Sequence, residues 1–336
     1  MDRMYCTIQD LIDDLSLHGV KNEEKVMRFI RSASQEIDRE LGAFIPITEA
    51  RKVWVTGNDR TRLLIPPLLS IASIDNDGTT LATTDFIGRP VQRAWEHGPY
   101  YWLDLDPEGT VGEWASDDLT VTGKWGLYDH SVSLGISASL AAASTATLAV
   151  TDGKALSPGM VLLIEDEQLL VESTSSTMTD STADLAEDVD GASEAEISIT
   201  DGTKVSIGEV IKVGFEQMLV LDVATNDIQV ERGYNGTSVT AHSSGASIYV
   251  FRTFNVKRGI NGTTAAIHSN KAVSRYQAPA DVSYLCRQMA ALMMNKAATG
   301  FVGRGGNDDL GTGFFVNEFP RNQIETVKKN YPWFGA

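Results

Sequence analysis

The residues of this chain that could carry chemistry are five histidines, two cysteines and forty-five carboxylates. A metal site needs several donors converging on one point. His18, His97, His130, His242 and His268 are dispersed along the chain. His242 and His268 occupy matching positions of an internal repeat, so each stands alone in its copy and reads as a hydrogen-bonding residue near a turn. Cys6 and Cys286 have neither a metal-type spacing nor a disulfide framework, and read as buried free thiols. Asp75-Asn76-Asp77-Gly78 opens like a calcium loop. The twelfth position, which needs a bidentate glutamate, is Phe86, so a hairpin turn is the better reading. Asp188-Val189-Asp190-Gly191 lies in a solvated acidic run, with a weak cation site as the alternative. Gly303-Arg304-Gly305-Gly306 lacks the Gly-Lys-Ser/Thr ending of a phosphate cradle and reads as a flexible loop. There is no Gly-x-Ser-x-Gly elbow and no evident Cys–His pair. The carboxylates are too many for a glycosidase pair to be chosen among them. The expected catalytic, cofactor-binding and metal-binding residues are therefore none, and an enzyme is not expected.

The remaining candidates are aromatic. Tyr331-Pro332-Trp333-Phe334 gathers three aromatic rings at the end of the sequence, with Phe314 and Phe315 upstream. Such residues suit an interface anchor; packing on the chain's own surface is the alternative.

The elements that would position these residues are of three kinds. At the N-terminal end, Thr7 and Asp10 suggest a capping box for a helix carrying Ile8, Leu11, Ile12 and Leu15 and ending at Gly19. A second helix follows Asn22, with Glu23 and Glu24 in its first turn and an apolar stripe of Val26, Phe29, Ile30, Ala33, Ile37 and Leu41. From about 51 to 128 the period drops to two. Strand-like pieces occur at Lys52–Thr56, Arg62–Ile65, Leu69–Ile74, Tyr100–Leu105 and Asp118–Trp125. Pro66-Pro67 is read as marking a strand end or an edge. The middle, about 137–276, is rich in Thr, Ser, Val, Ala and Gly and reads as all-β. After Pro279, Val282, Leu285, Met289, Leu292, Met293 and Ala297 form one face of a helix ending at Gly300. A glycine-rich stretch and a short helix beginning after Asn322 follow.

The middle contains a repeat. Thr151-Asp152-Gly153, Ser157, Gly159, Val161, Glu167-Gln168, Leu170 and Val171 recur as Thr200-Asp201-Gly202, Ser206, Gly208, Val210, Glu216-Gln217, Leu219 and Val220. The second copy continues into VERGYNGTSVTAHSSGASIYV. The first stops at an acidic Ser/Thr-rich stretch, and its missing half appears later as VKRGINGTTAAIHSNKAVSRY. Nesting explains this: an outer β-module over 135–177 plus 252–276, with an inner copy over 195–251 inserted in one of its loops. The acidic stretch would be a linker. Two and a half tandem repeats remain the alternative. Asn235-Gly236 and Asn261-Gly262 are expected to form type I′ hairpin turns, which need positive φ at both positions.

Composition sets limits on partners. With a net charge of −17 and no basic stripe, tight binding to nucleic acid is disfavoured, whereas DNA sliding past an acidic lining without adhesion is compatible. No run approaches the roughly 18 apolar residues of a membrane-spanning helix. The start MDRMYCTIQD has no basic n-region followed by an apolar h-region, so no secretory signal is read there.

With the β-rich middle excised, the ends resemble the head–tail connector (adaptor, or head-completion) proteins of tailed bacteriophages. The resemblance rests on YCTIQDLIDDL, EEKVMRFIRSASQEIDRELG, LLIPPLLSIASIDNDGTTL and LTVTGKWGLYD, then on APADVSYLCRQMAALMMNKA and FPRNQIETVKKNYPW. It covers about 1–130 and 277–336, and order and spacing carry it more than any single motif. It implies an α+β fold: a small helical-bundle connector core (1–134 plus 277–336) with a β-hairpin portion, interrupted by two nested β-barrel- or sandwich-like modules that compact members lack. It implies a virion protein of the neck, assembled in the host cytoplasm as a homo-oligomeric ring of about twelve subunits. The implied partners are the portal and a tail, tail-terminator or stopper protein, with a tail fibre or collar protein reached through the β-modules. DNA would pass through without sequence-specific binding, and no membrane, metal or cofactor is involved. Phe314, Phe315, Tyr331, Trp333 and Phe334 would then sit on an arm, about 301–336, that reaches the portal or a neighbouring subunit. The reading from another class is a tail-associated glycan-binding or adhesion protein that uses the β-modules.

Overall fold

The computed structural model describes residues 3–55, 60–92, 98–191, 194–298, 304–305, 314–315 and 321–332. The chain opens with α1 (Ile8–Leu15) and α2 (Glu23–Leu41). Thr7 Oγ1 accepts from the Asp10 N–H at 3.1 Å and Asp10 Oδ2 accepts from the Thr7 N–H at 2.7 Å, which closes a reciprocal cap on α1. Asn22 Oδ1 caps α2 by accepting from Lys25 N–H. The buried stripe of α2, Val26, Met27, Ile30, Ala33, Ser34, Ile37 and Leu41, faces Val282, Leu285, Cys286, Met289 and Ala290 of α3 (Ala280–Ala298). Ile324 and Val327 of α4 (Arg321–Asn330) complete the same core. The helices from the two terminal segments thus form one body, with each fully buried aliphatic side chain contributing about 1.5–3 kcal/mol.

Between these helices the structure is largely β, which corrects the expected fold. Residues 47–125 do not make a hairpin accessory to a helical bundle. They make a six-stranded antiparallel sheet with its own core around Trp114, Trp125, Leu63, Leu68, Leu103 and Val121. Its strands are β1 (Ile47–Lys52), β2 (Arg62–Asn76), β3 (Thr79–Thr80), β4 (Phe86–Arg89), β5 (Tyr100–Leu105) and β6 (Leu119–Trp125). They are ordered β1-β6-β2-β5-β4, with β3 on β2. Pro66-Pro67 does not mark an end or an edge: β2 lies centrally in the sheet and runs through both prolines. Pairing with β5 skips from Leu64 to Leu68, and pairing with β6 begins at Leu68. The two residues without N–H groups fall in a bulge where the strand changes partners.

Two further six-stranded antiparallel sheets account for 131–276. The outer one uses β7 (Ser131–Leu140), β8 (Thr147–Ala149), β9 (Val161–Ile164), β10 (Glu167–Thr174), β17 (Thr253–Lys257) and β18 (His268–Tyr276), ordered β7-β18-β9-β10-β17-β8. The inner one uses β11 (Thr179–Asp184), β12 (Glu196–Ser198), β13 (Val210–Val213), β14 (Glu216–Ala224), β15 (Asp227–Glu231) and β16 (Ser247–Val250), ordered β11-β16-β13-β14-β15-β12. The two orders correspond strand for strand. In the inner sheet Thr225 and Asn226 close β14 onto β15, with Ala224 opposite Asp227. At the equivalent place the outer sheet opens, and residues 175–252 enter between the paired strands β10 and β17. Because paired strands hold the two ends of the insertion close together, the outer ladder tolerates it.

The acidic stretch is not a linker. It supplies β11, paired with β16. Ala186 N–H donates to Ser198 O, and Thr200 N–H donates to Asp184 O, both at 2.9 Å. These bonds join the two edges of the inner sheet, so it curls towards a closed barrel.

Candidate functional site

The residues matched between the two copies converge in space. In the outer module Glu167, at the start of β10, accepts from Arg258 Nε (2.6 Å) and Nη2 (2.7 Å), from the N–H groups of Gly259 (3.1 Å) and Ala266 (2.9 Å), and pairs with His268 Nε2 (2.8 Å). In the inner module Glu216 accepts from Arg232 Nε (2.6 Å) and Nη2 (2.8 Å), from the N–H groups of Gly233 (3.1 Å) and Thr240 (3.0 Å), and pairs with His242 Nε2 (2.9 Å). All six side chains are buried or nearly so. Burial pushes both carboxyls up, but the guanidinium, the backbone donors and the imidazole more than offset it, leaving each at about 2. A glutamate with every lone pair engaged is a poor general base or metal ligand. These clusters act instead as staples that tie the crossover loop after β17, or after β15, to the sheet.

The neighbouring Asn-Gly turns have a different task. Asn235 and Gly236, like Asn261 and Gly262, have positive φ at both positions. Thr237 N–H donates to Tyr234 O at 3.2 Å, and Thr263 N–H to Ile260 O at 3.1 Å. The strands flanking each turn are not neighbours in their sheet. The turns therefore sit in crossover loops, not in hairpins as the sequence led us to expect. Each turn rests on the N-terminal part of the chain. Asn261 O accepts from Thr48 N–H at 2.9 Å, and a Cβ on Gly262 would lie 1.9 Å from Thr48 O. Asn261 Nδ2 donates to Gln168 Oε1, whose amide nitrogen donates to Pro46 O. In the inner copy Asn235 Oδ1 accepts from Val20 N–H at 2.8 Å, in the loop between α1 and α2, and its Nδ2 donates to Gln217 Oε1. An ion pair between the buried Glu209 and the half-buried Arg252 links the two modules: Arg252 bonds Glu209 through Nε (2.7 Å) and Nη2 (2.8 Å), and Gly153 N–H donates to Glu209 Oε1. The β-modules are bolted to the helical body.

The C-terminal candidates are placed unevenly. Tyr331 lies edge-on against Phe44, ring centroids 5.0 Å apart. Its hydroxyl donates to Asp281 Oδ1 at 3.0 Å, and Tyr101 Oη donates to Pro332 O at 2.9 Å. Residues 321–332 of the expected arm therefore fold back on the chain's own core, where Tyr331 packs half-buried. Phe314 and Phe315 form a short strand β20, paired with β19 (Arg304–Gly305). Trp333 and Phe334 lie outside the described residues.

Among the described residues the exposed aromatics Trp54, Phe215, Tyr249 and Tyr284 were missed in the sequence, and Phe215 is the most exposed of them. Phe215, at the β13–β14 turn, is 92% exposed, with Lys212 Nζ over its ring at 5.9 Å. The repeat could have singled it out, because Gly214-Phe215 aligns with Glu165-Asp166 of the outer copy. Ile207, Leu221 and Tyr249 are other exposed apolar residues of the inner module.

Asp75–Gly78 forms the turn between β2 and β3, with Asp75 Oδ1 accepting from Gly78 N–H. Among the described residues no group of three or more His, Cys, Asp or Glu side chains could hold a metal ion, and no helix is long and apolar enough to cross a membrane. No family model, curated protein or solved structure matches this chain.

Proposed function

We propose that this protein is a non-enzymatic structural subunit of a tailed-phage virion, one of a ring of about twelve copies seated in the neck between portal and tail. The observation that carries this reading is the joining of the two segments that bear the resemblance. Residues 1–130 and 277–336 are separated by two whole β-modules, yet α1, α2, α3 and α4 share one core. The ring-forming body is a helical layer with a six-stranded sheet beside it, not a helical bundle. Two features support a structural role. The polar clusters of the β-modules spend their hydrogen bonds inside the chain, and a net charge of −17 gives passing DNA no adhesive surface. The inner module, with Phe215 at its tip, would face outward to a tail fibre or collar protein.

The test is genetic. Phage lacking this chain should fill heads with DNA but fail to retain it or to join tails, and supplying the chain in trans should restore both. Normal infectious particles without the chain would end the proposal.

A second reading is favoured by Phe215 and Tyr249, exposed aromatics of the kind that stack on sugar rings. Under it the full chain would bind cell-wall glycans, and Phe215→Ser would abolish binding.

A further inference from the structure

We infer that Cys6 and Cys286 form an oxidisable dithiol that a peroxide converts into a covalent staple between the N-terminal segment and α3. Their sulfurs lie 3.3 Å apart although the residues are 280 positions apart in sequence. Both thiols are buried. Cys6 immediately precedes the cap of α1, and Cys286 lies on the face of α3 that packs against α2. Ser34 Oγ, on α2, is 3.4 Å from Cys286 Sγ and accepts from Tyr5 N–H at 3.2 Å, so the same cluster holds the residue next to Cys6 in place. Shortening 3.3 Å to the roughly 2.05 Å of a disulfide needs a movement of about 1.3 Å, within reach of small side-chain rotations.

A route for the oxidant exists. A cavity of about 230 Å³ opens beside Cys6, bounded also by Thr7, Asp10, Tyr276, Ser283 and Arg287. Hydrogen peroxide, little larger than water, fits it. The Cys6 thiolate attacks one peroxide oxygen and the O–O bond breaks. Hydroxide leaves and takes up a proton, and Cys6 becomes a sulfenic acid. Cys286 sulfur then attacks Cys6 sulfur, its proton is lost, and water leaves. Two thiols and one peroxide give one disulfide and two waters. The hydrogen bond with Cys286, burial and the Asp10 carboxylate hold the Cys6 thiol well above its usual range, against the opposing pull of Arg287. The staple therefore closes slowly at neutral pH, unlike an exposed sensor cysteine. In a reducing cytoplasm the pair stays reduced, and in an oxidising exterior it closes. That change of compartment rests on the virion reading; the cross-link itself does not.

The experiment uses the full chain, purified with reductant and then divided between fresh reductant and hydrogen peroxide. Peptide mapping without reduction should recover the Cys6 peptide joined to the Cys286 peptide, and free thiols counted after denaturation should fall from two per chain to none. The oxidised protein should melt about 5–10 °C higher than the reduced one, because the bond closes a loop of nearly the whole chain. Cys286→Ser should show neither the linked peptide nor the shift. Two alkylatable thiols after exhaustive oxidation, cysteines found only as sulfinic acids, or a cross-link that leaves the melting temperature unchanged would each overturn the inference.

Discussion

Replacing Glu216 with glutamine should loosen the inner β-module without disturbing the helical body. The side chain of Arg232 is 6% exposed, and Glu216 is its anionic partner. Glutamine keeps the size of the glutamate but removes the charge, and it puts an NH2 group where two donors now point. Removing one member of a buried pair costs about 3–5 kcal/mol, because the remaining charge stays buried. At the lower end of that range the cost is about 3 kcal/mol. The inner module contains no tryptophan, so tryptophan fluorescence would not report on it. Hydrogen exchange on peptides from 179–250 would. Three kcal/mol corresponds to roughly a hundredfold faster exchange of the amides in β13 and β14, with α2 and α3 unchanged. Glu196→Gln, an exposed change on β12, should stay within about 0.5 kcal/mol of the parent. The same cluster fixes a pH dependence. Glu216 and Glu167 are lowered from 4.5 to about 2 in the folded state. Their stabilisation is therefore present above about pH 4.5 and is lost as the pH falls towards 2. The full shift corresponds to about 3 kcal/mol per site, and nearby solvent reduces it to about 1–2. If Glu216→Gln exchanged like the parent at pH 7, the staple would be no staple, and the reasoning from buried pairing would fail.

Other perturbations test other joints. Gly262→Ala puts a Cβ 1.9 Å from Thr48 O at a residue with φ of +80°. It should cost about 2–4 kcal/mol in urea unfolding, whereas Gly78→Ala, with φ of +77° and nothing within 4 Å, should cost about 1 kcal/mol. Tyr331→Phe removes only the hydroxyl bonded to Asp281 and should cost about 1 kcal/mol in thermal melting; Tyr331→Ala, which also loses the ring against Phe44, should cost about 3. Phe215→Ser should leave the melting temperature within about 1 °C of the parent, since the ring is exposed, and should weaken whatever the inner module binds.

The terminal helices and the repeat were legible in the sequence, but the predominance of sheet over helix was not, and the reasons are identifiable. The helices were readable because Thr7, Asp10 and Asn22 cap them and their apolar residues keep a 3.6-residue period. Repetition pointed to nesting because Glu167-Gln168 and Glu216-Gln217 begin equivalent strands. The first sheet was underestimated because Pro66-Pro67 seemed to divide one long strand into two. The bulge that accommodates the prolines is a property of the partner strands, and no local sequence records it. Strand β11 was hidden because its inward positions are Ser181 and Ala183, too small to register as an apolar alternation. Ser181 satisfies its buried hydroxyl by donating to Ile248 O at 2.6 Å, a partner 67 residues away. The Glu–Arg–His clusters and the Cys6–Cys286 contact are likewise tertiary. Pattern identifies the residues, but only the fold brings them together. Tyr331 was assigned outward because aromatic residues near a chain end suit an interface. The structure finds it a partner in Phe44, on the loop after α2.

Rotational symmetry tests the central claim most directly. Electron microscopy of the purified full-length chain, at concentrations where neck proteins assemble, should show rings of about twelve subunits with the helical body lining the centre and the β-modules projecting outward. A species that stays monomeric at every concentration, or a ring whose channel is filled by the β-modules, would contradict it.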